Sequence, residues 1–459
     1  MKRLLLILAV CCLATGRGVS FQVADNEVVR RFFDQALTSQ VAYEQLRWLC
    51  KTTAGRIGGS PQAAAAVEYT RQVMEGMGLD SVWLQPCLVK SWDRGEPEVA
   101  RIVSARYGTI EVPSTALGWS VGTGEPGLSA RVVEVTSLDE LKALGNKGVQ
   151  GRIVFFNQPM DQTLPGTFAA YGKAAWQRTN GPAEAARLGA IGCVIRSLAI
   201  DIDDHPHTGV TRYGEGVRPI PAIAISTRSA ERLSSLLKED PELYFYFRTT
   251  CAEGPDVPSF NVIGEIRGAE FPNEIITVGG HLDAWDNGEG AHDDGGGCVQ
   301  AIEMLRLFRS AGIQPRHTIR AVMFMDEEVA QRGGRAYAKE AAARGEVHIA
   351  ALESDRGVFR PLALGVACNA EQMKKLQSWQ PLFDPWGIRL TTGGGGVDIG
   401  FLKEYYPNIV LMGLVPDDAR YFGVHHSSSD LFETVDRREM QLGAAAITSL
   451  ICLIDRYGL

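Results

Sequence analysis

Residues 279–297 read GGHLDAWDNGEGAHDDGGG, a glycine-rich run carrying two histidines and five acidic side chains. Carboxylates at that density repel one another unless a cation draws them together. Imidazole nitrogen with carboxylate oxygen is a donor set that zinc accepts. The run grows out of EIITV, an apolar stretch read as a buried strand. It leads into GCVQAIEMLRLFRSAG, where Val299, Ile302, Leu305 and Phe308 share one helical face. TIRAVMFMD then supplies another strand. Strand, loop, helix, strand implies an α/β domain whose largely parallel sheet lies under helices. Sites in such sheets gather beyond the carboxyl ends of the strands, and His281 and Asp326–Glu328 stand just past two such ends.

Outward from that stretch, the same chemistry recurs at intervals. His281 and Asp283 form an H-x-D, and Asp293 and Asp294 follow at the start of the helix. MDEE places Glu327 and Glu328 beyond the next strand, ESD places Asp355 after a third strand-like run, and HHSSSD carries His425 and His426. Singly, each has an ordinary reading: a capped strand end for His281, charge complementing a helix N-terminus for Asp293–Asp294, a solvated acidic pair for Glu327–Glu328. Together, at successive strand ends, they describe a metal centre. Two zincs about 3.5–4 Å apart need a shared carboxylate against their mutual repulsion, and the short stem of an aspartate suits that bridge. Adjacent glutamates can diverge, one binding metal and the other staying free as a base.

Totals narrow the class. A chain of 459 residues predicts two units, and a net charge of −8 excludes a nucleic-acid binder. Lys2 and Arg3 ahead of the apolar run Leu4–Ala14 read as an export signal, residues 1–20, too short to span a bilayer. The chain is therefore expected to be exported (secreted, periplasmic or lumenal) without stable membrane insertion. Cys11 and Cys12 lack the small preceding residue that lipid attachment needs. Beyond the signal, Cys50, Cys87, Cys193, Cys251, Cys298, Cys368 and Cys452 are scattered without a CxxC, so neither a zinc ribbon nor a disulfide scaffold is expected.

Residues 25–50 read as one helix. Ser60 and Pro61 read as the N-cap and first turn of an alanine-rich helix, and SVWLQPCLV as a strand. From 119 to 254 the texture changes to short strand-like runs (ARVVEV, GRIVFFN, IGCVIRS, IPAIAIS) joined by long polar loops, a compact insert with its own sheet. Residues 21–118 and 255–459 then form two parts of one catalytic domain. TTGGGGVDIG, residues 391–400, lacks the Lys-Ser/Thr of a phosphate loop.

The ordered set GGHLDAWD, GAHDDGGG, MDEEVAQRGGRAYA, ESDRGVF and HHSSSD resembles the di-zinc exopeptidases of the bacterial aminopeptidase type. The resemblance covers residues 40–459, and the insert resembles a protease-associated domain. It implies a mixed, largely parallel sheet sandwiched by helices, two zinc ions per chain, and dipeptides or short peptides as substrates. By position, Asp293 matches the bridging ligand. His281 and Asp355 would hold one zinc, and Glu328 and His426 the other. Glu327 matches the general base and Asp283 the partner that orients His281. His426 is taken over His425 because the family's ligand stands four residues before the motif aspartate, here Asp430. The resemblance also implies a cis Asp293–Asp294 peptide and places Asp398 beside the substrate. Asp398 is a candidate for a substrate amine, Arg420 or Arg332 for a substrate carboxylate, and His425 for a further substrate contact. Val329, Ala330 and Gln331 depart from the family pattern without touching a ligand position. Homodimerisation is implied by the resemblance alone. Two alternatives share the fold: a metal-free receptor-like protein and a glutaminyl-cyclase-like enzyme.

Overall fold

The computed structural model describes residues 15–459. The charged and apolar segments of the expected export signal lie outside the described residues. Eight strands form the large sheet: β1 (Ser81–Asp93), β2 (Ala252–Ile266), β3 (Phe271–His281), β4 (His317–Phe324), β5 (Val347–Glu353), β6 (Pro361–Ala367), β7 (Arg389–Thr392) and β8 (Val410–Pro416). Their spatial order is β1-β2-β4-β3-β5-β8-β6-β7. The four central strands β4, β3, β5 and β8 run parallel, while β1, β2 and β6 pair antiparallel to a neighbour.

Parallel central strands are covered on both faces and read as unbroken apolar runs, as EIITVGG and TIRAVMF do. One face packs against the Thr15–Thr38, Gly296–Ser310 and Arg437–Tyr457 helices through Phe32, Phe308 and Ile451. The other packs Val322, Phe324 and Ile263 against Tyr337 and Ala338 of the Arg332–Ala343 helix. The helix-sandwiched mixed sheet is the architecture expected from the sequence. Ser60 also caps its helix as expected, accepting a hydrogen bond from the Ala63 N–H at 3.0 Å.

The single helix expected over 25–50 is two, Thr15–Thr38 and Val41–Thr52. Side-chain groups intervene at the break. Ser39 Oγ accepts from the Val41 N–H, and the Ser39 carbonyl takes the Gln441 amide instead of a helical partner.

A second eight-stranded sheet is built from residues 99–248. Three of its strands, Val99–Ser104, Gly108–Glu111 and Ser114–Ala116, precede residue 119. Val99–Ser104 pairs with the distant Tyr244–Arg248. Its own core centres on Phe155, Phe245 and Phe247. The chain leaves the large sheet along β1 and returns along β2, and these strands stay paired out to Asp93 and Ala252. The small sheet is thereby tethered by a two-stranded ribbon. Arg94 adds a bidentate ion pair to Asp286, at 2.7 and 2.5 Å. All seven cysteines among the described residues are free, and only Cys368 is not buried. Among the described residues, no helix is long and apolar enough to cross a membrane.

Candidate metal centre

β3 ends at His281, level in register with Phe324 at the end of its neighbour β4, and its other neighbour β5 ends at Glu353, level with Gly279. The loops leaving these three strands deliver His281, Glu327–Glu328 and Asp355 to one spot. Asp293 reaches it from the turn before the Gly296–Ser310 helix, and His425–His426 from the loop after β8. Sites at the carboxyl ends of adjacent parallel strands follow the general rule for open α/β sheets.

The Asp293 carboxylate sits at the middle. Its Oδ1 lies 3.2 Å from His281 Nε2, which is 3.4 Å from Asp355 Oδ1. Its Oδ2 lies 3.4 Å from His426 Nε2, which is 3.1 Å from Glu328 Oε2. The two oxygens thus face two separate donor sets. His425, stacked on His426 with ring centroids 3.6 Å apart, stands farther off at 3.8 Å from Asp293 Oδ2. The Asp293–Asp294 peptide is cis. Asp326 and His426, at the edges of the centre, hold left-handed φ of +73° and +58°, where few residues other than glycine sit.

Neighbouring groups fix each donor. The Nδ1 of His281 meets the Asp283 carbonyl at 2.9 Å, which places the proton on Nδ1 and the lone pair of Nε2 toward Asp293. The sequence assigns that contact to the Asp283 side chain; in the structure the Asp283 backbone carbonyl makes it instead. Its carboxylate has other work: it accepts from the backbone N–H groups of Asp326, Glu327 and Glu328 at 2.8, 3.2 and 3.4 Å. It therefore shapes the turn that aims both glutamates. Trp285 Nε1 donates to Glu328 Oε2 at 2.6 Å.

Sequence reasoning passed over several of these supports. Asp430 accepts from the His292 and Asp293 N–H groups at 2.8 and 3.0 Å. Asp294 Oδ2 accepts from the His281 N–H at 3.0 Å. Buried Arg56 of GRIGG donates to the Leu282, Glu289 and Gly290 carbonyls, pinning the loop between the histidine and the aspartates. The glycines of the opening stretch make room for this packing. A Cβ on Gly280 or Gly297 would lie 2.3 Å from an Asp294 oxygen. Arg56 has no reading from the sequence alone, and Asp430 serves there only to mark a position in its motif.

Electrostatics shows what the arrangement lacks. Burial, then neighbouring Asp293, pushes Glu328 well above the ordinary carboxylate range. Burial also raises Glu327, with Asp355 and Glu328 adding to it. Burial alone would raise Asp293 too, but His281, His425 and His426 bring it below its usual value. Burial works against a charged His281, yet Asp293 and Asp355 raise it well above an ordinary histidine. Buried Asp293 Oδ2 and Glu328 Oε1 have no hydrogen-bond partner. Orphaned acceptors of this kind, beside imidazole nitrogens that offer a lone pair once a cation displaces the proton, fit divalent cations.

The remaining candidates separate. Asp398 is fully buried with neither oxygen hydrogen-bonded. Arg420 is 50% exposed and paired with Glu439 at 2.6 Å, and Arg332 is paired with Asp256 at 2.8 Å. Each arginine is held by an acidic partner that spacing along the chain does not reveal.

The chain is similar in sequence and in fold to known proteins. The protein-family model described as "Peptidase family M28" matches residues 261–358. Carboxypeptidase Q of Bos taurus is 34% identical over 88% of this chain and 83% of its own length. Carboxypeptidase Q of Homo sapiens is 33% identical over the same shares. A solved peptidase M28 precursor from Shewanella amazonensis SB2B superposes with a TM-score of 0.89 at 29% identity, covering 94% of this chain and 97% of that one. BSAP, a zinc aminopeptidase from Bacillus subtilis, shares the fold at a TM-score of 0.63 and 19% identity, over 89% and 93%.

Proposed function

The chain belongs to peptidase family M28, and from that premise we propose that it is an exported zinc exopeptidase acting on dipeptides or short peptides. One observation carries the reading: the two oxygens of Asp293 face separate His–carboxylate pairs, and Oδ2 is buried without a hydrogen bond. His281, Asp355 and Asp293 Oδ1 would hold one cation, and Glu328, His426 and Asp293 Oδ2 the other. When bound, zinc would lower the pKa of a water and polarise the scissile carbonyl.

The chain's own residues supply the rest. Glu327 takes no hydrogen bond on its carboxylate from the described residues, and burial raises its proton affinity. Both properties suit a base that accepts a proton from the attacking water and returns it to the departing amine. Asp283 holds that base in place through the 326–328 backbone. Asp398, with neither oxygen engaged, is the group left to receive a substrate ammonium, while His425 borders the Asp293 Oδ2 side. Residues 1–20 serve as the cleaved export signal in this reading, and the small-sheet unit as an insert in the catalytic domain. A homodimer is the expected assembly, to be checked by light scattering.

The test is metal analysis of the purified mature protein joined to a panel of free, N-blocked and C-blocked dipeptides. Two zinc ions per chain and chelator-sensitive cleavage are expected. Full activity after exhaustive chelation, or cyclisation of N-terminal glutamine in place of hydrolysis, would overturn the proposal.

A further inference from the structure

The two halves of the acidic centre are held from different parts of the molecule. On the His281 side, the ring is oriented by the Asp283 carbonyl and the backbone by Asp294, all within the loop that follows β3. On the His426 side, the ring faces the small-sheet unit. Its Nδ1 lies 3.3 Å from the Thr208 carbonyl and 3.3 Å from Arg178 Nη1. Arg178 Nη1 donates to that same carbonyl at 3.3 Å, and Nη2 donates to the Tyr171 hydroxyl at 2.6 Å. A guanidinium has no acceptor to offer. A cation on Nε2 requires the proton on Nδ1; Thr208 O is then the acceptor that the ring and Arg178 share, and the Nε2 lone pair faces Glu328 and Asp293.

The surroundings are shaped around this contact. Arg178 is only 5% exposed and forms no ion pair among the described residues. A buried cation without a counter-ion is costly, and the carboxylates of the acidic centre are what lies beyond the ring it touches. Gly209 holds a φ of +136°, and a Cβ there would sit 2.4 Å from the Arg178 guanidinium carbon. The 207–208 segment is stitched to the ligand loop: His207 and Ser427 form an antiparallel bridge, the Thr208 N–H donates to the His426 carbonyl at 2.9 Å, and His207 Nδ1 meets the His425 carbonyl at 2.6 Å. The same side steadies Glu328. Its partner Trp285 packs on Gly118, where a Cβ would meet the indole at 2.1 Å, and Gly118 bonds Gly209 and Thr211.

We propose that Arg178 is a positioning residue for His426, so that the small-sheet unit completes the Glu328–His426 half of the centre. The His281–Asp355 half assembles without it. This rests on the zinc reading above and goes further by making the two cation sites unequal in a stated direction. The acid–base chemistry of Glu327 is not involved.

The experiment strips the mature full-length protein of metal and titrates it with Co(II), followed by visible absorbance, and with buffered zinc, followed by bound-metal analysis. His426→Ala and Asp355→Ala assign each ion to its half. Arg178→Gln is expected to weaken the ion that H426A removes by about 10–100-fold and to alter its Co(II) band. The ion that D355A removes should keep its affinity and spectrum. Tyr171→Phe frees one arm of the guanidinium, and should shift the same ion in the same direction by less. Near-UV circular dichroism of the metal-free forms reports folding; if R178Q does not fold, Y171F decides. Unchanged binding of both ions in the folded variants overturns the proposal, as does weakening of the Asp355-side ion instead. Failure of H426A and D355A to reduce binding at all would sink the zinc reading itself, a result separable from the others because it does not involve Arg178.

Discussion

Replacing Asp283 with asparagine tests how the chain aims its glutamates. In the native protein the Asp283 carboxylate accepts three backbone N–H groups, two on Oδ1 and one on Oδ2. An asparagine keeps one carbonyl oxygen, so the bonds from Asp326 and Glu327 survive in neutral form. Its amide nitrogen would face the Glu328 N–H, donor against donor. A lost hydrogen bond to a charged group costs about 1.5–3 kcal/mol, and the two survivors weaken by roughly half. Against this, the carboxylate is fully buried and its pKa is raised by burial, so removing the charge recovers part of its desolvation cost. The net loss should be about 1–3 kcal/mol in the urea unfolding of the metal-free protein. The larger effect falls on turnover. Glu328 and Glu327 share the turn that Asp283 holds, and a displacement on the order of 1 Å costs about 10²-fold in rate. The expected D283N enzyme therefore folds, melts slightly earlier in urea and turns over dipeptides about a hundredfold more slowly. Wild-type kcat together with a wild-type urea midpoint would refute the reasoning.

Other expectations follow from the same contacts. Glu327→Gln should keep its metal and lose about 10²–10⁴-fold in kcat; equal metal content with wild-type turnover would remove Glu327 from the proposed role. Trp285→Phe deletes the 2.6 Å donor to Glu328 and should weaken one of two bound ions by about tenfold, read by equilibrium dialysis against buffered zinc. Buried Arg320 takes Glu346 in a two-pronged ion pair at 2.8 and 3.1 Å. Burial acts to raise Glu346, but His348 and Arg320 outweigh it and hold the carboxyl at about 2, below the ordinary 4.5. A depressed folded-state pKa stabilises above the ordinary value and is lost as pH falls through the folded one. The stability gap between wild type and Glu346→Gln, about 3 kcal/mol at most, should be full above about pH 4.5 and close by about pH 2. Denaturant titrations of both proteins across that window check it, and a gap independent of pH would contradict it.

The main-sheet signals were local and therefore readable. EIITVGG and TIRAVMF are continuous apolar runs because strands buried on both faces leave no polar side. The residues just beyond them, His281 and Glu327–Glu328, stand where parallel strands deliver side chains to one edge. Asp293, Asp355 and His426 joined them through the order of short motifs. The structure links Asp355, His281, Asp293, His426 and Glu328, each to the next, at 3.1–3.4 Å. The break at Ser39, by contrast, turns on a carbonyl taken by Gln441 from the far end of the chain. The occupation of Arg332 and Arg420 by Asp256 and Glu439 was equally hidden, as was the transfer of Val99–Ser104 to the small sheet through Tyr244–Arg248.

What the amino-acid order determined alone was the α/β core, the donor types and the strand ends at which they emerge, because apolar periodicity and short-range motifs act over a few residues. What the tertiary structure decided was how the donors are aimed: Asp283 gripping the 326–328 turn, Asp430 the backbone at Asp293, Arg178 and Thr208 the ring of His426. Those contacts join residues dozens to hundreds of positions apart. Their energy depends on angle and distance set only when both sheets are packed, which no local pattern encodes.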